Sequence, residues 1–235
     1  MSSKLEQLFP AFLEIQDEQL RALSQKAMEL AMERGGWTYE NLHLCPVTLN
    51  WKNCDVSWIE HVTDVTKLCL MEFDALKKYY TRHGVPFRRD IVAAGALLHD
   101  IGKIGIREDI LNKTGPLDSE DWKIMRGHVD NAVNIIRHLP SLDYTIPAVL
   151  SHHERYDGMG YPRKLAGEEI PLTGRVLCVA DAFDAMTSNR QYRSGMDFAT
   201  AALELQRGRG GQFDAHIVDV FLQVARDEDL EHSLR

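Results

Sequence analysis

The 235-residue chain lacks the marks of several protein classes. Its four cysteines contain no C-x-x-C pair, which argues against a zinc ribbon or a disulfide framework and favours reduced thiols. No stretch reaches the roughly 18 consecutive apolar residues that a membrane helix needs. The start, MSSKLEQLF, has no basic flank followed by a long apolar run, as a signal peptide would. We therefore expect a cytoplasmic protein that does not enter a membrane.

Positive charge is also scarce, since 35 acidic residues against 27 basic ones give a formal net charge of −8. This balance argues against binding to DNA or RNA polymers and to anionic membrane surfaces. A small anionic ligand stays compatible with it, because bound divalent cations can reverse the local field.

The hydrophobic pattern follows helical spacing, and no stretch shows sustained alternation with a period of two. Between residues 55 and 83, for example, apolar residues such as Trp58, Val62 and Val65 recur at steps of three and four. The class is therefore all-α. We predict helices over 17–34 (with Asp17 as N-cap), 55–83, 90–101, 118–138, 142–153, 171–188, 197–207 and 214–226.

The chain divides into two parts in this interpretation. Residues 1–54 comprise the first helix and an irregular arm that mixes aromatics, Pro46 and asparagine, and we expect them to pack on the core. Residues 55–235 form the domain that carries the chemistry.

The dipeptide His99-Asp100 closes a helix that is apolar nearly all round and is therefore expected to be buried on every side. Adjacent helical side chains diverge by about 100°, so both polar groups cannot reach solvent. Burying an unpaired carboxylate is costly, and a metal ion is one of the partners that compensate for it. Taken alone, the dipeptide fits equally well a hydrogen-bonded core histidine followed by a helix-end aspartate.

Further residues of ligand type occupy inward or apolar positions on other predicted helices. Each would more often be a satisfied core residue, but a shared metal site explains all of them together. They are His61, His128, the adjacent pair His152 and His153, and Asp181.

Five histidines and two aspartates are too many donors for one tetrahedral zinc ion. They suit two octahedral divalent ions, and the nitrogen and oxygen set favours iron or manganese, with zinc, nickel or cobalt as alternatives. Two ions about 3.5–4 Å apart can clamp the attacking and leaving oxygens of a phosphoryl displacement.

Three longer motifs resemble the HD-GYP family, the bacterial cyclic di-GMP phosphodiesterases of the HD metal-dependent phosphohydrolase superfamily. These motifs are HDIGKIGI (99–106), HHERYDGMGYP (152–162) and DAFDAMTSNRQYR (181–193), within a resemblance that covers roughly residues 58–222. It implies an HD-domain helical bundle with a GYP loop, here with a short N-terminal helical extension.

Carried over residue by residue, the resemblance implies that Asp100 bridges the two ions. The implied metal ligands are His61, His99, Asp100, His128, His152, His153 and Asp181. Lys103 matches the lysine expected to contact the scissile phosphate, so Lys103 and Asp100 are the predicted catalytic residues. Tyr161, Arg190 and Arg193 match positions that hold the phosphates and bases of the ligand. From the residues alone, Lys103 and the arginines offer charge to a phosphate or are solvated surface cations.

This sequence departs from the family pattern at several points. Ser57 stands where some members have a glutamate ligand for a third metal, and Asp64 stands where arginine is frequent. We therefore expect two metals. Residues 1–50 resemble nothing in the usual HD-GYP core, and their apolar content favours packing on the core or a homodimer. Control of the activity would then come from another chain, such as a regulatory partner protein, or from a ligand. Asp184 could orient a ligand histidine or pair with Arg190.

The sequence thus predicts hydrolysis of cyclic di-GMP to linear pGpG by a hydroxide held between two metals, and it leaves open a second step to GMP. One alternative is the same site acting on cyclic GMP-AMP or another nucleotide. A second is a di-iron oxygenase, against which the GYP loop and Lys103 argue. A third is a non-catalytic cyclic-dinucleotide receptor, which would not need all seven ligand positions filled.

Overall fold

We analysed a computed structural model of the chain, which describes residues 3–42, 57–82, 88–111, 113, 115–189 and 194–230 (the backbone alone at 78–82 and 108). Within these residues the regular structure is helical, and the extended pairing is confined to an isolated bridge between Arg209 and Phe213. The predicted all-α class is confirmed.

The α-helices follow one another in a chain of mostly short segments. They are α1 (Lys4–Leu8), α2 (Glu18–Gly35), α3 (Trp58–Arg82), α4 (Arg89–Leu98), α5 (Glu108–Leu111), α6 (Ser119–Arg126), α7 (His128–Ile136), α8 (Ile146–Ser151), α9 (Leu172–Thr187), α10 (Phe198–Arg207) and α11 (Ala215–Asp227). Single 3₁₀ turns cover Pro10–Glu14, Ile101–Gly105, Asp143–Thr145 and Gly167–Glu169.

Local capping rules account for where several helices begin and end. The Asp17 side chain accepts a hydrogen bond from the Leu20 amide at 3.0 Å, so the predicted N-cap of α2 is confirmed. Gly36 ends that helix in the left-handed region, at φ +72°, which costs glycine little. Asp118 caps α6 by accepting from the amides of Glu120 and Asp121, both at 3.0 Å.

The prediction of one helix over 118–138 is wrong, because the chain breaks at Gly127 into α6 and α7. The ring of His128 bonds the Met125 carbonyl at 2.7 Å through Nδ1. That carbonyl would otherwise accept the amide of the next helical turn, so the side chain competes with the backbone. The predicted helix 90–101 likewise ends early, at Leu98, where the His99 ring bonds the Ala96 carbonyl at 2.6 Å.

A large apolar core joins most of the helices, with α3, α4 and α9 at its centre and α11 packed against α3. A smaller cluster joins α5 and α6 through Ile110, Leu111 and Met125. The N-terminal segment shares this core: Phe9 meets Trp58 edge to face at 5.6 Å between ring centroids. The boundary at residue 54 stays a prediction, and residues 43–56 of the arm lie outside the described residues. None of the described helices combines the length and apolarity needed to cross a bilayer.

One buried group in this core lacks compensation. Glu72 on α3 is fully buried, and neither carboxyl oxygen has a hydrogen-bond partner among the described residues. Burial, reinforced by the negative charge of Asp214, raises the pKa of Glu72 well above its ordinary value of 4.5. The folded protein therefore holds this carboxyl protonated under conditions in which the unfolded chain ionises it.

We predict that Glu72→Gln makes the protein progressively more stable than the wild type as pH rises from about 5 to about 8. The folded wild type binds a proton that the unfolded chain has released, so its free energy of unfolding falls with pH by up to about 1.4 kcal/mol per unit. Urea unfolding of both proteins across this range measures the difference. Glu168→Gln, at an exposed position, should show no such trend. If the free energies of unfolding of Glu72→Gln and wild type differed by a constant amount across this pH range, the raised pKa of Glu72 would be contradicted.

Candidate metal centre

Seven buried or half-buried donors, the complete set predicted from the sequence, lie together in the middle of the molecule. They form two adjoining groups, within each of which the donor atoms lie within 4.8 Å of one another. One group contains His61, His99 and Asp181; the other contains Asp100, His128, His152 and His153. Because these residues lie on α3, α7 and α9 and in the turns that follow α4 and α8, only the folded chain brings them together.

Three of the histidines are oriented by the same device, a helix end. The Nδ1 atoms of His99, His128 and His152 lie 2.6, 2.7 and 2.7 Å from the carbonyl oxygen three residues earlier. A carbonyl only accepts, so Nδ1 carries the hydrogen and donates it. In a neutral ring this bond selects the tautomer whose Nε2 lone pair points into the site, as a metal ligand requires.

His61 lies in the first turn of α3, and its ring is oriented by a side chain from α9 instead of a carbonyl at a helix end. Its Nδ1 lies 2.6 Å from Asp184 Oδ2, so the carboxylate accepts that hydrogen. Asp184 therefore contacts a predicted ligand histidine, one of the two roles considered for it. Ser57 and Glu60 form a reciprocal cap at the start of α3, with bonds of 2.6 and 3.2 Å, so Glu60 is engaged outside the cluster.

Asp100 lies between the two groups, with one oxygen toward each. Its Oδ2 is 3.5 Å from His61 Nε2 and 3.4 Å from His99 Nε2, whereas its Oδ1 is 3.5 Å from His128 Nε2. The side chain is 1% exposed. Asp181 Oδ1 adds a second carboxylate 3.4 Å from His61 Nε2. A carboxylate so placed can bind one cation with each oxygen.

Several contacts inside the cluster are unfavourable without a cation. His128 Nε2 and His152 Nε2 face each other at 3.5 Å, although both rings carry their hydrogen on Nδ1. Buried His99 Nε2 and Asp100 Oδ1 have no hydrogen-bond partner in the described part of the chain. Unpaired buried polar atoms are rare and costly. The donor set therefore fits bound metal ions.

The electrostatics differ between the two groups. Burial, together with the neighbouring rings of His99 and His128, lowers the pKa of His152 to about 3. Burial and the His152 ring hold the pKa of His153 well below its usual range. Both rings are therefore neutral near pH 7, which is the form that binds a metal.

Around His61 the carboxylates dominate instead. Burial disfavours its charged form, but hydrogen bonds to Asp100 and Asp184 outweigh this and raise the pKa of His61 to about 9. Burial likewise opposes ionisation of Asp100, but Lys103 and His99 hold the pKa of that carboxyl well below its usual range. The part of the cluster around His61 and Asp100 thus favours positive charge. A metal cation can supply that charge in place of a proton.

Two predicted functional residues border the cluster. Lys103, on the 3₁₀ turn Ile101–Gly105, pairs its ammonium with Asp100 Oδ2. The ring of Tyr161 stacks on His153, with centroids 4.8 Å apart and an interplanar angle of 29°. Burial, with the charges of Asp100 and Asp181, raises the pKa of Tyr161 above its ordinary value, so its hydroxyl stays protonated. Arg190 and Arg193 lie outside the described residues.

Glu154 is a residue of the site that sequence reasoning missed. It is 1% exposed, and its two oxygens accept from the amides of Arg163 at 2.7 Å and Leu165 at 3.1 Å. These bonds hold the loop that carries Tyr161 against the histidine pair. The loop lies so close that a Cβ on Gly160 would meet the Arg155 nitrogen at 2.3 Å. The available signal was an acidic residue directly after two histidines at the end of an apolar helix.

We predict that Asp184→Asn lowers metal affinity about 10- to 100-fold, because the amide no longer holds the His61 ring as a carboxylate does. Titration of metal-free protein with Mn²⁺, followed by calorimetry, measures the change. Asp227→Asn, at an exposed position on α11, is the control and should bind like the wild type. Equal affinity in Asp184→Asn and wild type would show that Asp184 does not support a ligand.

Comparison with known proteins supports this interpretation of the site. The HD-domain family matches residues 74–217, more than half of the chain. A 3′3′-cGAMP-specific phosphodiesterase of Vibrio cholerae is 30% identical over 220 residues, covering 88% of this chain and 41% of the relative. A cyclic di-GMP phosphodiesterase of Thermotoga maritima is 39% identical over 150 residues, covering 59% of this chain and 41% of the relative. The chain thus spans about two fifths of the length of these relatives.

A solved structure agrees in fold. An HDGYP protein from Bdellovibrio bacteriovorus superposes with a TM-score of 0.56 at 16% identity, covering 94% of this chain and 78% of that one. At this identity the likeness concerns the fold alone. Together with the helical architecture, the family match leads to one conclusion: the chain belongs to the HD-domain family, and its motifs at 99–106 and 152–162 resemble those of the HD-GYP group.

Proposed function

We propose that this chain is a metal-dependent phosphodiesterase that hydrolyses cyclic di-GMP to linear pGpG. The observation that carries the proposal is the pair of adjoining donor groups with Asp100 between them and Lys103 at their edge. The names of the relatives in Vibrio cholerae and Thermotoga maritima, both cyclic-dinucleotide phosphodiesterases, support it.

Two ions fit the donors best in this proposal, with iron or manganese preferred because the ligands are imidazole nitrogens and carboxylate oxygens. His61, His99 and Asp181 would hold one ion, His128, His152 and His153 would hold the other, and Asp100 would contribute to both. When bound, the ions supply Lewis acidity toward the phosphate and a lowered pKa for bound water.

Lys103 supplies positive charge beside the reacting phosphate. Its ammonium pairs with Asp100 and its side chain is only 16% exposed, so its charge acts in a poorly solvated place. A charge held there stabilises a phosphoryl group more strongly than the same charge in water. The proposal assigns Lys103 and Asp100 as catalytic residues on this basis.

The rest of the substrate is held around the GYP loop. Tyr161 is fixed by stacking on His153 and by its amide, which donates to the His153 carbonyl at 3.2 Å. Arg190 and Arg193 complete the proposed contacts to phosphates and bases. Their charge offsets that of a ligand with two phosphates, on a protein with a net charge of −8.

A second substrate, 3′3′-cyclic GMP-AMP, is favoured by one observation. The relative whose match covers 88% of this chain is named for that nucleotide. The nucleotide itself differs from cyclic di-GMP in one base only. The same metal centre would serve both, because each presents an identical phosphodiester to the ions.

Turnover assays on metal-replete protein with both nucleotides, followed by chromatography of the products, test the proposal. We expect a linear dinucleotide from the wild type and near-complete loss of activity in Asp100→Ala, which removes the shared carboxylate. Binding of either nucleotide without any product would identify a receptor rather than an enzyme. Unchanged turnover in Asp100→Ala would contradict the site assignment.

For Lys103 we predict a separate signature. Lys103→Met keeps most of the side-chain volume but removes the charge, and it should lower kcat about 10²- to 10³-fold. Metal content measured by mass spectrometry should stay at the wild-type level, since Lys103 is not a ligand. Loss of metal together with activity would instead make Lys103 a structural partner of Asp100. Lys123→Met, at an exposed position on α6, is the matched control and should keep wild-type kcat.

A further inference from the structure

The last turn of α6 presents an unusual pair of side chains at the edge of the metal centre. The guanidinium carbon of Arg126 lies 4.9 Å from the centroid of the Tyr161 ring and 5.8 Å from that of Trp122. Trp122 is 44% exposed and Arg126 is also exposed. Trp122, Arg126 and Tyr161 thus form a continuous surface, which we call the α6 shelf.

Among the residues that the structure describes, the lysines on and near α6, unlike Arg126, form ion pairs with carboxylates. Lys123 lies 3.6 Å from Glu120, and Lys113 pairs with Asp118 and Asp121. In the described part of the chain the guanidinium of Arg126 contacts aromatic rings rather than a carboxylate. Stacking fixes the plane of a guanidinium but leaves the N–H groups at its edge able to donate. Arg126 is therefore both oriented and available to a ligand.

The location of the α6 shelf suits the base of a nucleotide. Tyr161 stacks directly on His153, a member of the metal-binding group, so Arg126 is one ring away from the proposed ligands. The break at Gly127 brings it there, because α6 ends at Arg126 and His128 follows two residues later. Two steps, 4.8 Å from His153 to Tyr161 and 4.9 Å from Tyr161 to Arg126, separate the shelf from the proposed ligands, as a ribose separates a base from its phosphate.

We propose that the α6 shelf binds a guanine base of the substrate, with Trp122 stacking on its face and Arg126 reading its edge; this rests on the proposed phosphodiesterase function. Guanine presents two acceptors, O6 and N7, to which arginine binds bidentately. Adenine presents an amino group in place of O6. Arginine has donors only, so the amino group of adenine would face an arginine N–H and neither donor would be paired. The shelf therefore selects guanine over adenine.

The two residues contribute differently to this selection. Stacking on an indole depends little on base identity, because every base has an aromatic face. Loss of Trp122 should therefore weaken the binding of all cyclic dinucleotides alike. Loss of Arg126 should weaken only the binding of those that contain guanine. This difference separates a binding role from general damage to the fold.

The test uses steady-state kinetics of metal-replete protein with cyclic di-GMP and 3′3′-cyclic GMP-AMP, with cyclic di-AMP as a competing inhibitor. Arg126→Ala should raise KM for cyclic di-GMP about tenfold or more, change kcat by less than about twofold, and leave the inhibition constant of cyclic di-AMP unchanged. Trp122→Ala should raise KM for cyclic di-GMP and 3′3′-cyclic GMP-AMP and the inhibition constant of cyclic di-AMP by a similar factor. Lys123→Ala removes the same charge three residues away and should behave like the wild type.

Other outcomes would overturn the α6 shelf. Equal effects of Arg126→Ala and Lys123→Ala would reduce Arg126 to a contribution of overall charge, and equal weakening of cyclic di-GMP and cyclic di-AMP would remove its role in base selection. If the wild type hydrolyses no cyclic dinucleotide, the proposed function is wrong, but this result does not decide the role of the α6 shelf. Calorimetric binding of cyclic di-GMP and cyclic di-AMP to the same variants then decides the shelf: a loss confined to cyclic di-GMP supports it, and no binding or no difference overturns it.

Discussion

The burial of Asp100 among imidazole nitrogens is the constraint on which the rest of the structure depends. Its carboxylate is 1% exposed, stays ionised because of Lys103 and His99, and has one oxygen without a hydrogen-bond partner in the described part of the chain. Two of the neutral histidines beside it, His128 and His152, point their Nε2 lone pairs at each other. Such a cluster is costly to bury unless cations fill it. The binding energy of the ions is thus coupled to the free energy of folding.

The fold meets this constraint by ending helices at the cluster. At the ends of α4, α6 and α8, carbonyls of the last turn accept the Nδ1 hydrogens of His99, His128 and His152. The same bonds orient each ring and contribute to the hydrogen bonding of the helix terminus. The break after α6 has a second consequence, because it places Arg126 against Tyr161 beside the metal centre. Short helices here are therefore a requirement of the site.

Much of this could be predicted from residues 58–222, because burial patterns are local in sequence. Helical periodicity and ligand-type residues at apolar positions were sufficient for the all-α class and for the seven donors that the structure brings together. The break at Gly127 could not be predicted, since the apolar period continues across it and the break depends on where His128 finds its hydrogen-bond partner. Glu154 was missed because its partners, Arg163 and Leu165, follow only from the path of the returning loop.

Anomalous diffraction from crystals of metal-loaded protein, recorded at the absorption edge of the bound metal, tests whether two ions share Asp100. We expect two peaks about 3.5–4 Å apart. One should lie about 2 Å from the nitrogens of His61 and His99, the other about 2 Å from those of His128, His152 and His153, with an Asp100 oxygen on each. A single peak, or two peaks without Asp100 between them, would contradict it.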